Sequence, residues 1–299
     1  MSLPIIDCSR SDSALQVDTA LTAVGFMLVR NAGIDPLMLE RVFAASRAFF
    51  MGPEAIKRSC GYRSAAENFG YQGMTEENLD PTAPADLKQT FTMRNIVGNP
   101  PPLERWPSAE FRELMQAFFG HALEAAYRLQ RNVARALDLP EDFFTRCHGG
   151  ENITLRLLYY PASEQAPLDA RQLGAGAHTD YGLLTLLFQD TVGGLQVLDA
   201  QDRWQSVAPV PGTIVVNSGD MLERWSNGRY RSTLHRVQPV TGARDRFSIA
   251  LFLDPDDNTL VEALPSCIAS GASPRYPPIT AREHLRQKLD ASHKARFDR

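Results

Sequence analysis

The sequence is poor in cysteine, and it has no long apolar run. The four cysteines, at positions 8, 60, 147 and 267, show no zinc-type or CxxC spacing, which argues against a disulfide framework and a thiolate metal site. This usage is typical of a reducing compartment, so we expect a cytoplasmic protein. No apolar stretch approaches the length of a membrane span, and no basic segment followed by an apolar one opens the sequence. We therefore expect neither a membrane protein nor a secretory leader.

The sequence also lacks an excess of positive charge. Its 299 residues include 31 Lys and Arg against 35 Asp and Glu, which gives a net charge of −4 and a pI of about 5.9. Nucleic-acid binders usually carry a basic face, so a small-molecule substrate is the better expectation. The hydrophobic content of 43% is enough for a large core, either as one domain or as one domain with a helical cap. Nothing in the sequence indicates an oligomeric state.

The first half of the sequence predicts helices around a long irregular segment. Apolar residues recur at helical spacing over residues 12–24 and 108–139, and Asp35 and Pro36 are a typical N-cap and first residue for a helix that ends at Phe50. Residues 60–105 are richer in Gly, Pro, Asn and Gln. There we expect irregular structure, with strand pieces near Tyr71 and Phe91.

The second half predicts a β-rich core. Short apolar runs separated by turn residues predict strands over residues 153–160, 182–189, 195–198, 213–216, 235–237 and 246–253. Many short strands at this spacing favour a sandwich or jelly roll over a parallel α/β sheet. A last helix is predicted from Thr280 to about Ala291. The change in character near residue 150 suggests three parts, residues 1–149, 150–257 and 258–299.

His178, Asp180 and the distant His235 are the candidate metal ligands. On a strand, residues i and i+2 lie on the same face, so His178 and Asp180 can reach one common atom. Two histidines and one carboxylate on one face of a metal leave positions open, which suits ferrous iron that activates oxygen. An HxD pair alone also arises by chance. In that case Asp180 is a turn acceptor and His178 faces solvent.

Arg246 and Ser248 show the same i, i+2 spacing, eleven residues after His235. A guanidinium and a hydroxyl aimed into one pocket are well suited to a carboxylate. The alternative is that Arg246 forms a surface ion pair with Asp245. The remaining histidines are assigned structural roles.

Residues 176–187, GAHTDYGLLTLL, resemble the metal-binding strand of the 2-oxoglutarate and Fe(II)-dependent oxygenases. The resemblance is closest to the isopenicillin N synthase-like branch of that superfamily. It continues through residues 193–197, 216–237 and 246–248, and the N-terminal and C-terminal regions also resemble the family, so it spans nearly the whole chain.

The resemblance implies a mainly β core with α: a double-stranded β-helix (jelly roll) with flanking helices and a helical N-terminal region. It implies that His178, Asp180 and His235 bind iron. It also implies that Arg246 and Ser248 hold the distal carboxylate of 2-oxoglutarate, with Tyr160 adding a hydroxyl. Tyr160 is alternatively an ordinary aromatic core residue. Leu158 departs from the family, which often has Asn there, so one polar contact to the co-substrate is lost.

The function implied is that of an Fe(II)- and 2-oxoglutarate-dependent dioxygenase. It would use O2, with ascorbate as a supporting reductant, to hydroxylate, desaturate or cyclise a small organic molecule while releasing succinate and CO2. An isopenicillin N synthase-like or ascorbate-dependent oxidase that does not use 2-oxoglutarate is the alternative within the family. Outside it stand a zinc hydrolase or lyase on a jelly-roll scaffold, and a non-catalytic binding protein.

Four further residues are weaker candidates for the site. Asp86 and Lys88 echo a family pattern and are read as structural or as part of the pocket rim. Phe91 and Phe252 are candidate pocket walls, with the hydrophobic core as the alternative for each. Asn217 is interpreted as a turn residue.

Overall fold

The computed structural model describes residues 2–80, 82–163, 169 and 171–288. Its helices are α1 (Ser13–Ala23), α2 (Pro36–Phe50), α3 (Glu54–Ser59), α4 (Ala109–Ala136) and α5 (Asp220–Trp225), and residues 281–288 are also helical. Its strands are β1 (Ile5–Asp7), β2 (Phe26–Arg30), β3 (Phe69–Gln72), β4 (Gln89–Arg94), β5 (Thr154–Tyr160), β6 (Ala175–His178), β7 (Leu184–Gln189), β8 (Leu195–Leu198), β9 (Trp204–Ser206), β10 (Ile214–Ser218), β11 (His235–Val237), β12 (Arg246–Leu253), β13 (Leu260–Val261) and β14 (Ile279–Thr280). Over these described ranges, no helix has both the length and the apolar character needed to cross a bilayer.

The strands form two facing sheets and one small pair. The large sheet has the order β1-β2-β10-β7-β12-β5-β4-β3, the small sheet has the order β6-β11-β8-β9, and β13 pairs with β14. Only β1 and β2 run parallel among the described strand pairs; all other neighbours are antiparallel. This is the mainly β jelly-roll core with flanking helices that the sequence predicts.

The large sheet is apolar on the face that carries the helices. Strand β12 shows how this is achieved, because successive side chains of a strand point to opposite faces. On one face, Phe247, Ile249 and Leu251 belong to the main hydrophobic core, together with apolar residues of α1, α2 and α4. The other face of β12 lines a cavity in front of the small sheet, and its residues are Arg246, Ser248, Ala250 and Phe252.

The helices begin where the sequence predicts. Asp35 caps α2, which begins at Pro36: its carboxylate accepts a hydrogen bond from the backbone N–H of Leu37 at 3.0 Å. The hydroxyl of Ser108 accepts one from the N–H of Phe111 at 3.1 Å and caps α4. Each cap gives a hydrogen-bond acceptor to a backbone N–H that has no partner inside its helix, and so fixes where the helix begins.

The structure corrects three predictions. Strand β6 ends at His178, so Asp180 does not lie on a strand. The backbone carbonyls of Asp180 and Tyr181 accept hydrogen bonds from the N–H groups of the first two residues of α5 rather than from a neighbouring strand. Phe91 is a core residue, packed among other aromatic rings, and does not line the cavity. The last helix starts at residue 281 rather than Thr280, and its predicted end at Ala291 lies outside the described residues.

Three features were not predicted: helix α5, strand β9 and the β13–β14 pair. Each contains six residues or fewer, which is too short for a periodic pattern to develop.

Candidate metal centre and co-substrate pocket

His178, Asp180 and His235 come together between the two sheets. His178 ends β6 and His235 begins β11, and the two histidines are register partners in neighbouring antiparallel strands. The Nε2 atoms of His178 and His235 lie 3.9 and 3.8 Å from Oδ1 of Asp180. All three donor atoms lie within 4.8 Å of one another, so one metal ion can contact all of them. Two imidazoles and one carboxylate are the donor set that suits a ferrous ion with open positions.

Both imidazoles are oriented by backbone carbonyls. Nδ1 of His178 lies 2.7 Å from the carbonyl oxygen of Gly176, and Nδ1 of His235 lies 3.1 Å from that of Thr233. A carbonyl oxygen only accepts hydrogen bonds, so each Nδ1 carries the proton and each Nε2 keeps its lone pair for a metal.

The carboxylate of Asp180 is held in the same way. Its Oδ2 accepts hydrogen bonds from the Thr185 hydroxyl at 2.6 Å and from the Asn217 amide at 2.7 Å, which leaves Oδ1 facing the two imidazoles. Sequence reasoning missed Thr185 and interpreted Asn217 as a turn residue. Asn217 lies 37 positions from Asp180, and no local pattern signals such a contact.

The protonation states also fit a metal. Burial lowers the pKa of His178, and the nearby His235 adds to this effect. Burial by itself raises the pKa of Asp180, but the two histidines and the hydrogen bonds from Asn217 and Thr185 outweigh it and hold that pKa below its usual value. Near neutral pH, His178 is therefore neutral and Asp180 is ionised, as metal binding requires.

The three residues line a cavity of about 410 Å³. Its floor is formed by β4, β5 and β12, whose register places side chains in rows across the large sheet. Arg94, Thr154 and Phe252 form the outer row, and Thr92, Arg156 and Ala250 form the next one. The prediction that Phe252 lines the pocket is thus confirmed.

The inner end of the floor carries the predicted carboxylate-binding pair. The Arg246 side chain is fully buried, and its Nη1 donates to the Ser248 hydroxyl at 3.2 Å. Within the described part of the chain, Nε and Nη2 of Arg246 have no hydrogen-bond partner and no carboxylate forms an ion pair with the guanidinium. The surface ion pair with Asp245 does not form, because that carboxylate instead accepts hydrogen bonds from the Ala162 N–H and the Tyr159 hydroxyl.

Tyr160 and Leu158 complete this inner end. The guanidinium carbon of Arg246 lies 4.7 Å from the centre of the Tyr160 ring, a cation–π distance. Tyr160 is a register partner of Arg246, and Leu158 is a register partner of Ser248, so the four side chains form a square on the cavity floor. Leu158 is the apolar corner of this square.

A network of buried charges lies beside the cavity. Nζ of Lys88 lies 2.8 Å from the Asp86 carboxylate and 2.9 Å from that of Glu77, and the other Glu77 oxygen lies 2.6 Å from Arg156. Asp86 and Lys88 are both buried in this network, which fits the structural role that was one of the two readings of the sequence. The cavity wall also includes Asp254. Among the described residues, no hydrogen-bond donor reaches the carboxyl group of Asp254.

Comparison with known proteins identifies the family. Residues 152–255 match the profile of the 2OG-Fe(II) oxygenase superfamily, and residues 3–119 match that of the non-haem dioxygenase N-terminal region named for morphine synthesis. The chain belongs to the 2OG-Fe(II) oxygenase superfamily. It is therefore a non-haem Fe(II)- and 2-oxoglutarate-dependent dioxygenase.

Similar proteins cover nearly the whole dioxygenase. A 2-oxoglutarate-Fe(II) type oxidoreductase of Emericella nidulans, hxnY, is 34% identical over 90% of this chain and 81% of its own length. Homoarginine-6-hydroxylase 2-ODD-233 of Oryza sativa subsp. japonica is 31% identical over 96% of each chain. A full-length Neurospora crassa protein, crystallised in complex with alpha-KG and thymine, superposes with a TM-score of 0.86, at 31% identity and 97% coverage of both chains.

Proposed function

We propose that the dioxygenase binds Fe(II) through His178, Asp180 and His235, and that Arg246 binds the distal carboxylate of 2-oxoglutarate. One observation carries this assignment. A fully buried guanidinium with two unpartnered nitrogens lines the same cavity as three converging metal donors. Each unpaired buried donor costs about 1–3 kcal/mol, so such a group is expected to have an anionic ligand.

Ser248 and Tyr160 complete the proposed co-substrate site. The Ser248 hydroxyl accepts from Arg246 and can donate its own proton to the same carboxylate. The Tyr160 ring holds the guanidinium in place from one side and presents its hydroxyl at the same end of the cavity. Because Leu158 offers no hydrogen bond, the carboxylate relies on Arg246, Ser248 and Tyr160.

We further propose that the primary substrate is a small, uncharged, polar molecule. The cations in the middle of the cavity are already compensated, since Lys88 pairs with Asp86 and Glu77, and Arg156 pairs with Glu77. Neither is free to bind a second carboxylate at full strength, and Arg94, in the outer row, already donates a hydrogen bond to the Ala66 carbonyl. The Neurospora crassa structure, which holds thymine, supports this substrate class.

Asp254 is the proposed hydrogen-bonding partner for that substrate. It follows Phe252 at the outer end of the cavity, and its carboxyl group has no hydrogen bond within the described residues. Burial raises the pKa of Asp254 to about 7, and the Asp180 carboxylate adds to the rise. Pairing with an N–H or O–H group of a substrate would satisfy this group without adding charge to the cavity.

The chain's own residues bind, orient and exclude water. When bound, Fe(II) supplies the site at which O2 and 2-oxoglutarate become the oxidant; succinate, CO2 and the oxidised substrate are the products. The carbonyls of Gly176 and Thr233 keep the imidazoles in the metal-binding tautomer. The apolar cluster around Leu158, Val237 and Ala250 keeps water away from the inner end. The proposed outcome is hydroxylation, desaturation or cyclisation of the substrate.

Substrate-stimulated release of succinate tests this function. Uncharged cyclic amides such as thymine are expected to stimulate it more than orotate, which adds a carboxylate to a similar ring. Asp254→Asn should change the order of preference among substrates without changing the requirement for 2-oxoglutarate, and Asp202→Asn, at an exposed turn, is the control. Stimulation by carboxylic acids alone would contradict the proposed class. Turnover without 2-oxoglutarate would favour the isopenicillin N synthase-like or ascorbate-dependent route.

Three further assignments complete the proposal. We place an N-terminal mixed region at residues 1–149, the catalytic core at 150–257 and a C-terminal extension at 258–299, with the ligand residues all in the core. The isopenicillin N synthase-like branch remains the proposed placement within the superfamily. A cytoplasmic location is supported by the four cysteines, all of which are free.

A further inference from the structure

The buried carboxylate of Asp86 contacts the strand that carries His178. Strand β6 lies at the edge of the small sheet, where only β11 pairs with it among the described strands. On the open edge, Oδ1 of Asp86 accepts a hydrogen bond from the backbone N–H of Gly176 at 2.9 Å. An unpaired N–H at a buried edge is costly, so the carboxylate takes the place of a neighbouring strand.

Gly176 connects this contact to the metal centre. Its carbonyl oxygen is the atom that accepts the Nδ1 proton of His178 at 2.7 Å. The loop that carries Asp86 also packs closely here, since a Cβ at Gly176 would come within 2.8 Å of the Asp80 backbone nitrogen and 2.9 Å of its Cβ. Asp80 and Asp86 therefore both restrict the position of Gly176, and with it the hydrogen bond to His178.

Asp86 is itself held in place. Its Oδ2 accepts hydrogen bonds from Nζ of Lys88 at 2.8 Å and from the backbone N–H of Leu79 at 3.3 Å. Lys88 is fixed in turn by Glu77, at 2.9 Å. A carboxylate with this many charge-assisted contacts has a single orientation, which makes it a rigid support.

We propose that Asp86, held by Lys88, is a positioning residue for the iron ligand His178, acting through the backbone of Gly176. The inference rests on the proposed assignment of His178 as an iron ligand. It goes beyond that assignment, because it gives the N-terminal part of the chain a role in the metal centre. Residues that support a metal ligand from outside typically change metal affinity about 10- to 100-fold when they are removed.

Anaerobic titration with Fe(II), read as the dissociation constant rather than as turnover, tests the inference. Asp86→Ala is expected to weaken iron binding about 10- to 100-fold. In this variant Lys88 still pairs with Glu77, so its charge remains compensated and the protein should still fold. Asp86→Asn combined with Lys88→Met keeps an oxygen for the Gly176 N–H and removes the ammonium that the amide NH2 would otherwise face. This double variant is expected to stay within about threefold of the wild type. The visible spectrum of the Co(II)-substituted protein should change for Asp86→Ala and change little for this double variant.

Lys57→Met is the matched control. Lys57 is also a buried lysine, bonded to the Phe50 carbonyl and to Glu54, but it has no contact with β6 among the described residues. Its loss should lower thermal stability and leave the iron dissociation constant unchanged. A merely structural role for Asp86 would give this same pattern, and folded Asp86→Ala protein with an iron affinity within about twofold of the wild type would overturn the inference.

A second variant keeps the test decisive if Asp86→Ala does not fold. The double substitution Asp86→Leu with Lys88→Met replaces a buried ion pair by apolar side chains of similar size, a change that is often neutral or stabilising. It still removes the acceptor for Gly176, so a loss of about 10- to 100-fold in iron affinity is expected. Unchanged iron affinity in this folded variant would overturn the inference. If the wild type itself failed to bind Fe(II), the proposed function would fail first.

Discussion

Replacing Arg246 by methionine should keep or raise the thermal stability of the apo-protein and lower the thermal stability of its complex with 2-oxoglutarate. In the apo-protein, the buried guanidinium has one side-chain hydrogen bond, to Ser248, and two nitrogens without partners among the described residues. Replacing a buried, poorly compensated charge by an apolar group of similar shape is often neutral or stabilising, by about 1–4 kcal/mol. The melting temperature of the apo variant should therefore be equal to that of the wild type, or higher by a few degrees.

In the presence of Fe(II) and 2-oxoglutarate, the wild type should instead have the higher melting temperature. Removing one partner of a buried, hydrogen-bonded charge pair costs about 2–5 kcal/mol, which corresponds to a loss of roughly 30-fold to several thousand-fold in affinity for 2-oxoglutarate. Arg246→Lys should lie in between, because an ammonium keeps the charge but not the two-pronged geometry. Wild-type protein gains about 2.7 kcal/mol at a ligand concentration 100 times its Kd, and at the same concentration the methionine variant should gain at most about 0.9 kcal/mol.

Anaerobic thermal denaturation with and without 2-oxoglutarate measures both effects. Arg244→Met is the control, since Arg244 is exposed two positions away and its loss changes the net charge equally. A melting temperature that falls by several degrees in the apo Arg246→Met variant would refute the view of Arg246 as an unsatisfied buried cation. Equal stabilisation of variant and wild type by 2-oxoglutarate would refute its role in binding.

Three further predictions concern the surroundings of the site. Thr185→Val and Asn217→Ala each remove a hydrogen bond to Asp180, so each should weaken Fe(II) binding about 10- to 100-fold in anaerobic titrations. Thr185→Ser keeps the hydroxyl and should leave Fe(II) binding unchanged. Phe91→Ala should lower the free energy of unfolding in urea by about 3–5 kcal/mol and leave the affinity for 2-oxoglutarate unchanged. Burial by itself raises the pKa of Glu77, but Arg156 and Lys88 outweigh it and hold that pKa below its ordinary 4.5. The stabilisation is complete above the ordinary value of 4.5 and is lost progressively as the pH falls toward the lowered pKa of the folded state. In thermal denaturation, Glu77→Gln should therefore be clearly less stable than wild type at pH 7, and the difference should be smaller at pH 3.

The residues that the sequence predicts correctly are those whose geometry is local. Arg246 and Ser248 lie on one face of β12 because a strand repeats every two residues, and the alternation of polar and apolar residues makes this readable. His178 and Asp180 were grouped for the same reason. They do converge, although Asp180 lies beyond the end of its strand.

The contacts that could not be predicted from the sequence join residues that are far apart along the chain. Asn217 contacts Asp180 across 37 positions and Asp86 contacts Gly176 across 90, and both contacts depend on which elements become neighbours in the fold. Phe91 and Phe252 were equivalent candidates for the cavity wall. The sequence did not reveal that the cavity face of β4 carries Thr92 and Arg94, and that Phe91, next to Thr92, lies on the opposite face, which packs against the helices.

The central claim is that one cavity holds Fe(II) and 2-oxoglutarate together, and visible absorption under anaerobic conditions tests it most directly. Fe(II) is added to the apo-protein first, and 2-oxoglutarate second. We predict a weak charge-transfer band that appears only when both are present and that is lost in His178→Ala, Asp180→Ala and His235→Ala. If iron binds and no band develops at any concentration of 2-oxoglutarate, the assignment of Arg246 to the co-substrate is contradicted.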